Sequence, residues 1–196
     1  NKIFSNNTIK KDIDLIINNF KDSGYYDVQV EPKVTRKSGN LVNLIFEIKR
    51  NEKYLINNVF FIGDKYFTSS ELKDVVSTSK YGWWKFLSSS SSLNEKRIEY
   101  DKSLLRDFYL NNGFVDVQIS STEIKLLDDY KADIIFSINS GEKYFFSNFK
   151  ITDSENNLND SNKRAISNIA NKKIKGTFSK SKLSFVEKKI YDYFNL

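Results

Sequence analysis

The chain repeats itself, and the repeat limits what it can fold into. The segment "NNFKDSGYYDVQV" (Asn18–Val30) returns as "RDFYLNNGFVDVQI" (Arg106–Ile119). Gly24 and Gly113 set a shift of about 89 residues, which lays Asp27-Val28-Gln29 on Asp116-Val117-Gln118 without a gap. "LIFEIKRNEKYLINNVFFIGD" (Leu44–Asp64) matches "IIFSINSGEKYFFSNFKITD" (Ile134–Asp153) with one extra residue in the second copy, and Glu52-Lys53-Tyr54 falls on Glu142-Lys143-Tyr144. At the end of the chain, "FSKSKLSFVEKKIYDYFNL" (Phe178–Leu196) is similar to the helix-like "FSNNTIKKDIDLIINNF" (Phe4–Phe20) and "LNEKRIEYDKSLLRDFYL" (Leu93–Leu110). Matches in the same order along the chain indicate duplication of one supersecondary unit.

The elements of that unit follow from local pattern. "EKYLINNVFFIG" is rich in β-branched and aromatic residues and ends at Gly63, which predicts a strand and a turn. Thr68 and Glu71 have the spacing of a capping box, in which each side chain satisfies a free helix N–H of the other's segment, so a helix is expected over 69–78. A longer helix, 94–111, carries Leu104, Leu105, Phe108 and Tyr109 as its apolar stripe. Leu15, Ile16 and Phe20 take this part in the first copy, and Val186, Ile190 and Tyr193 in the third. Gly24 and Gly113 end their helices as left-handed caps. "FVDVQIS" alternates Val115, Val117 and Ile119 on one face, "LLDDYK" turns, and "ADIIFSI" returns with Ile134, Phe136 and Ile138, which predicts a hairpin.

The unit therefore reads β-α-α-β-β: an α+β fold with a three-stranded mixed sheet covered on one face by two helices. The expected division is a second helix and hairpin at 1–51, a complete unit at 52–141, and a first strand with two helices at 142–196. The two partial units are expected to be the less stable, because an incomplete sheet leaves apolar surface in water.

Composition narrows the chemistry. There is no Met, and the expectation is a segment of something longer. With neither Cys nor His, disulfides, thiolate catalysis and the commonest general base are excluded. No apolar run approaches the roughly 18 residues of a membrane-spanning helix. The net charge of +6 could suit nucleic acid, but Lys is interleaved with Asp and Glu, and only "NKKIKG" (Asn171–Gly176) and "SNKRA" (Ser161–Ala165) approach a cluster. No nucleic-acid partner is therefore expected. Asp128-Asp129 reads as a solvated turn rather than a catalytic pair, and Ser88 to Ser92 have no nucleophile-elbow context. The expectation is a protein that is not an enzyme and carries no cofactor or metal.

Tandem β-α-α-β-β units carrying "FIGDKYFTSSELKDVV", "WWKFLSSSSSLNEKRIEYDKSLLRDFYLNNGFVDVQI" and "FSINSGEKYFFSNFKI" resemble the POTRA domains of the BamA family of outer-membrane protein assembly factors. The likeness runs across essentially the whole chain and is nearest to parts of the second to fourth POTRA units. Two departures stand out: Asp64 replaces the usual Asn, and "ITDSENNLND" lies where a Gly would fall. The resemblance implies a periplasmic scaffold, in a Gram-negative bacterium, that receives unfolded outer-membrane proteins and docks accessory lipoproteins. The parent's covalently linked membrane β-barrel is absent from this segment.

In that family the second hairpin strand pairs with the first strand of the unit, leaving the first hairpin strand at the sheet edge. An edge strand offers unpaired N–H and C=O groups to which an extended client can add. Here the implied edge is Val115–Ser121, with Val115, Asp116, Val117, Gln118, Ile119 and Ser120 as contact residues. Its counterpart is Tyr26–Lys33, with Tyr26, Val28 and Val30. Val115, Val117 and Ile119 are also expected to be core residues beneath the helices. Trp83, Trp84 and Phe86 fall between the two helices of the complete unit, where one indole is expected to pack inward and the other to face a partner or a neighbouring unit. The alternatives are a POTRA segment of a two-partner secretion or translocation transporter, a division protein carrying one such unit, and, more distantly, a basic nucleic-acid-binding domain.

Overall fold

The computed structural model describes residues 5–39, 41–63, 65–80, 91–153 and 158–194. Its elements run α1 (Asn6–Asp22), β1 (Val28–Lys37), β2 (Leu41–Arg50), β3 (Leu55–Ile62), α2 (Ser69–Val75), α3 (Glu95–Asn111), β4 (Gln118–Leu127), β5 (Lys131–Asn139), α4 (Asp160–Lys173) and α5 (Lys180–Phe194). The chain is α+β, with β3, α2, α3, β4 and β5 in the expected β-α-α-β-β order. β1 and β2 form a two-stranded antiparallel sheet, and β3, β5 and β4 form a three-stranded one in the order β3-β5-β4.

The second sheet is mixed. A three-residue turn, Asp128–Tyr130, joins β4 to β5, too short for anything but an antiparallel pair. Asp129 and Tyr130 both adopt positive φ, 57° and 52°, as primed hairpin turns require. β3 runs parallel to β5: the Leu55 N–H donates to the Tyr130 carbonyl (2.8 Å), and further along Asn57 Nδ2 donates to Asp133 Oδ1 (2.9 Å). β5 lies between the other two strands and buries every second side chain, Ala132, Ile134, Phe136 and Ile138.

Two compact units divide the chain. One comprises Asn1–Phe60, Val76–Asp101 and Thr122–Phe136, with Tyr54, Ile56, Val59, Leu93, Ile98, Ala132, Ile134 and Phe136 buried. The other comprises Phe61–Val75, Lys102–Ser121 and Ser137–Leu196, with Leu72, Leu105, Tyr109, Phe114, Val117, Ile138, Ile166, Ala170 and Val186 buried. In this second unit Phe67 packs edge-on against Phe108, Tyr109 and Phe114 at 4.7, 5.1 and 5.8 Å.

Three expectations change. The helix expected over 69–78 ends at Val75. The carboxylate of Asp101, itself fully buried, accepts from the Ser77 N–H (2.7 Å), the Ser77 hydroxyl (2.6 Å) and the Thr78 N–H (3.1 Å), so those backbone donors are taken out of any further helical turn. The capping box itself forms: the Thr68 N–H and hydroxyl donate to Glu71 Oε2 at 2.7 and 2.8 Å. The apolar stripes of the outer copies are only partly covered, with Leu15 60% and Tyr193 47% exposed. The first strand expected in the third copy is not extended into a ladder: among the described residues it makes one isolated bridge, Phe145 to Thr177.

Candidate functional site

The sheet order leaves β4 at an edge, because β5 uses its other side to pair with β3. β3 is the opposite edge, and its first residue, Leu55, makes an isolated bridge with Ser92. β4 is ten residues long, and the described isolated bridges do not involve it.

The edge lies further along the chain than the alternating pattern suggested. Gly113 turns the chain after α3, and a further turn at Val115–Asp116 delays the strand until Gln118. Val115, Asp116 and Val117 therefore precede β4, while Gln118, Ile119 and Ser120 lie in it. Of the three expected core residues, Val117 is buried, Ile119 is partly covered and Val115, at 38% exposed, is not in the core, where Phe114 lies as well. Among the described side chains of β4, Ile119, Thr122, Ile124 and Leu127 are partly covered. Thr122–Leu127 forms the second half of this edge strand.

In the first copy, Tyr26 precedes β1, whereas Val28 and Val30 belong to it. β1 pairs with β2 in unbroken register from Val28↔Arg50 to Lys37↔Leu41, and Pro32 stands opposite Phe46. A hollow of about 510 Å³ at the start of β1 is lined by Tyr26, Asp27, Val28, Gln29, Lys49 and Asn51. Trp83, Trp84 and Phe86 lie outside the described residues. Asp129 is a solvated turn residue, its side chain 86% exposed and 3.9 Å from Lys131 Nζ.

Periodicity did not reveal the contacts of the recurring Glu-Lys-Tyr. The Tyr54 hydroxyl donates to Asp27 Oδ2 (3.2 Å), and the Tyr144 hydroxyl donates to Asp116 Oδ2 (2.7 Å). Tyr54 is also packed edge-on between Tyr26 (5.9 Å) and Tyr130 (5.6 Å). Burial first, then the Asp27 charge, pushes the Tyr54 phenol up; at Tyr144 the hydrogen bond to Asp116 comes first. Burial and the neighbouring Glu95 carboxylate likewise raise Tyr26. The recurrence of Tyr at one repeat position is the signal in the sequence for this contact.

Residues 1–51 and 54–141 match the POTRA family, described as surface antigen variable number repeat. Relatives include the outer membrane protein assembly factor BamA of Neisseria meningitidis serogroup B, 27% identical over 69% of this chain and 17% of its own length. BamA of Nitratidesulfovibrio vulgaris is 23% identical over 72% of this chain and 18% of its own length. The chain thus spans less than a fifth of these relatives. Among solved structures, BamA POTRA3-5 of Haemophilus influenzae superposes with a TM-score of 0.51 at 11% identity, covering 98% of this chain and 72% of that one.

Proposed function

The chain belongs to the POTRA family, and from that premise we propose that it is a periplasmic scaffold segment of an outer-membrane β-barrel assembly factor, which receives unfolded outer-membrane proteins by strand addition to β4. The position of β4 at the sheet edge supports this reading most directly. Main-chain pairing scarcely depends on client sequence, which suits a receptor for many clients. Alternate residues of Thr122–Leu127 present N–H and C=O outward, about six main-chain bonds at roughly 0.5–1.5 kcal/mol net each. Ordering an extended client offsets much of this, so the affinity of one edge is in roughly the 10 μM–1 mM range. Accessory assembly lipoproteins are the second class of partner, and the membrane β-barrel is linked in the same polypeptide.

The test is titration of a labelled peptide, taken from a barrel strand, into the chain and into Glu123→Pro and Ile124→Pro variants. Of two successive residues, one N–H belongs to the β5 ladder and the other faces the open edge. The variant that loses the outward N–H should keep its circular dichroism and bind about tenfold more weakly. Two folded variants that both bind like the parent would sink the proposal. Affinity should change little with salt, whereas a steep fall in log affinity with log salt would favour the nucleic-acid alternative.

A further inference from the structure

We propose that Gly24–Asp27 with Tyr54, and Gly113–Asp116 with Tyr144, are one joint used twice: a receptor site behind the second helix of each repeat, locking the Glu-Lys-Tyr lead of the next repeat in place. Each compact unit contains one of these joints complete.

The contacts correspond one for one. At the first joint the Tyr25 N–H donates to the Phe20 carbonyl (3.0 Å), the Tyr54 N–H to the Gly24 carbonyl (2.9 Å) and the Leu93 N–H to the Tyr54 carbonyl (2.9 Å). At the second, Phe114 donates to Tyr109 (3.0 Å), Tyr144 to Gly113 (2.8 Å) and Phe178 to Tyr144 (3.0 Å). The phenol-to-carboxylate bond closes each set, and the preceding lysine covers the ring after the glycine: Lys53 Nζ lies 5.0 Å from the Tyr25 centroid and Lys143 Nζ 5.8 Å from that of Phe114. The next helix is tied back as well, by Asn94 Nδ2 to the Asp22 carbonyl at the first joint, and by the Ser181 N–H to Asn111 Oδ1 (2.8 Å) at the second.

The glycines are part of the site. Both have positive φ, 93° and 101°, and a Cβ on Gly113 would stand 2.7 Å from Thr177 Cγ2 and 3.0 Å from the Tyr144 carbonyl oxygen. The lead segment enters through space that a side chain would fill. One backbone N–H, one backbone C=O and one phenol are all engaged within Tyr54 or Tyr144, so the tyrosine bonds at three points. Such a joint is a fixed splice rather than a hinge, and its occupant is any lead segment that presents Tyr in this register.

The proposal is independent of client binding and is tested without a client. Amide hydrogen exchange is followed by NMR in the full chain and in Tyr144→Phe, Tyr54→Phe and Asp116→Asn variants. Removing one phenol hydroxyl of ordinary hydrogen-bond strength should speed local opening roughly three- to tenfold. In Tyr144→Phe the amides of residue 144 and Phe178 should exchange faster by that factor, with Tyr54 and Leu93 within about twofold of the parent. Tyr54→Phe should do the reverse, and Asp116→Asn, which keeps an oxygen acceptor, should lie between parent and Tyr144→Phe. Unchanged exchange at residue 144 and Phe178 would overturn the proposal. So would equal acceleration throughout α4 and α5, which is general destabilisation rather than a loosened joint.

Discussion

The same hairpin occurs twice in this chain with opposite burial. In the middle repeat, Ile134, Phe136 and Ile138 on β5 are 0%, 0% and 3% exposed. Their counterparts on β2 are Leu44, at 36%, Phe46, only half-buried, and Ile48, at 42%. The sequence pattern is nearly the same, so the difference lies in the surroundings. β5 has a strand on each side, whereas among the described residues β2 pairs with β1 alone. The lead segments make the reciprocal contrast: "EKYLINNVFFI" forms β3 against β5, while "EKYFFSNFKI" makes one bridge among the described residues. An alternating apolar run specifies a strand, but a buried ladder needs the third strand as well.

The largest test of this contrast is a pair of truncations in the full chain, read by urea denaturation. Phe136→Ala should cost about 3–5 kcal/mol, in the range for a fully buried Phe, and Phe46→Ala less than about 1.5 kcal/mol. Equal costs would break the comparison. Asp101 gives the next largest effect. Asp101→Ala leaves two backbone N–H groups and a hydroxyl without their shared acceptor and should cost about 2–3 kcal/mol. Asp12, at the same repeat position in α1, is not buried, and Asp12→Ala should cost below about 0.5 kcal/mol.

The α2 cap follows, with smaller effects than Phe136 or Asp101. Thr68→Ala should cost roughly 0.5–2 kcal/mol at neutral pH, with loss of the short helix in circular dichroism. Hydrogen bonds from Thr68, the backbone N–H foremost, hold the Glu71 carboxyl below its ordinary value of 4.5. A carboxyl lowered in the folded state stabilises in full above the unfolded value and loses that contribution as pH falls through the folded one. The stability difference between the parent and Glu71→Ala should therefore shrink from pH 6 to pH 3. A difference independent of pH would contradict a charge-assisted cap.

Much of this was legible because repetition tests each local reading twice. The order of elements, the capping box and the hairpin follow from turn chemistry and periodicity, which act within a few residues. The start of β4 was not legible: the alternation of Val115, Val117 and Ile119 is real, but a turn at Val115–Asp116 holds the strand back until Gln118. Asp101 could not be found either, since a buried carboxylate that accepts from Ser77 and Thr78 looks in sequence like any helical Asp. The edge location of β4 came from resemblance, because strand order depends on non-local pairing. The recurring tyrosines were visible as a pattern, but their pairing with Asp27 and Asp116 depends on how successive repeats meet.

The most direct measurement is amide exchange along β4 in the presence of an unfolded outer-membrane barrel peptide, with β5 as the internal reference. Strand addition predicts new protection at alternate amides of Thr122–Leu127, those facing away from β5, and none in β5 itself. A bound peptide that leaves the β4 amides exchanging at their free rates would contradict the account.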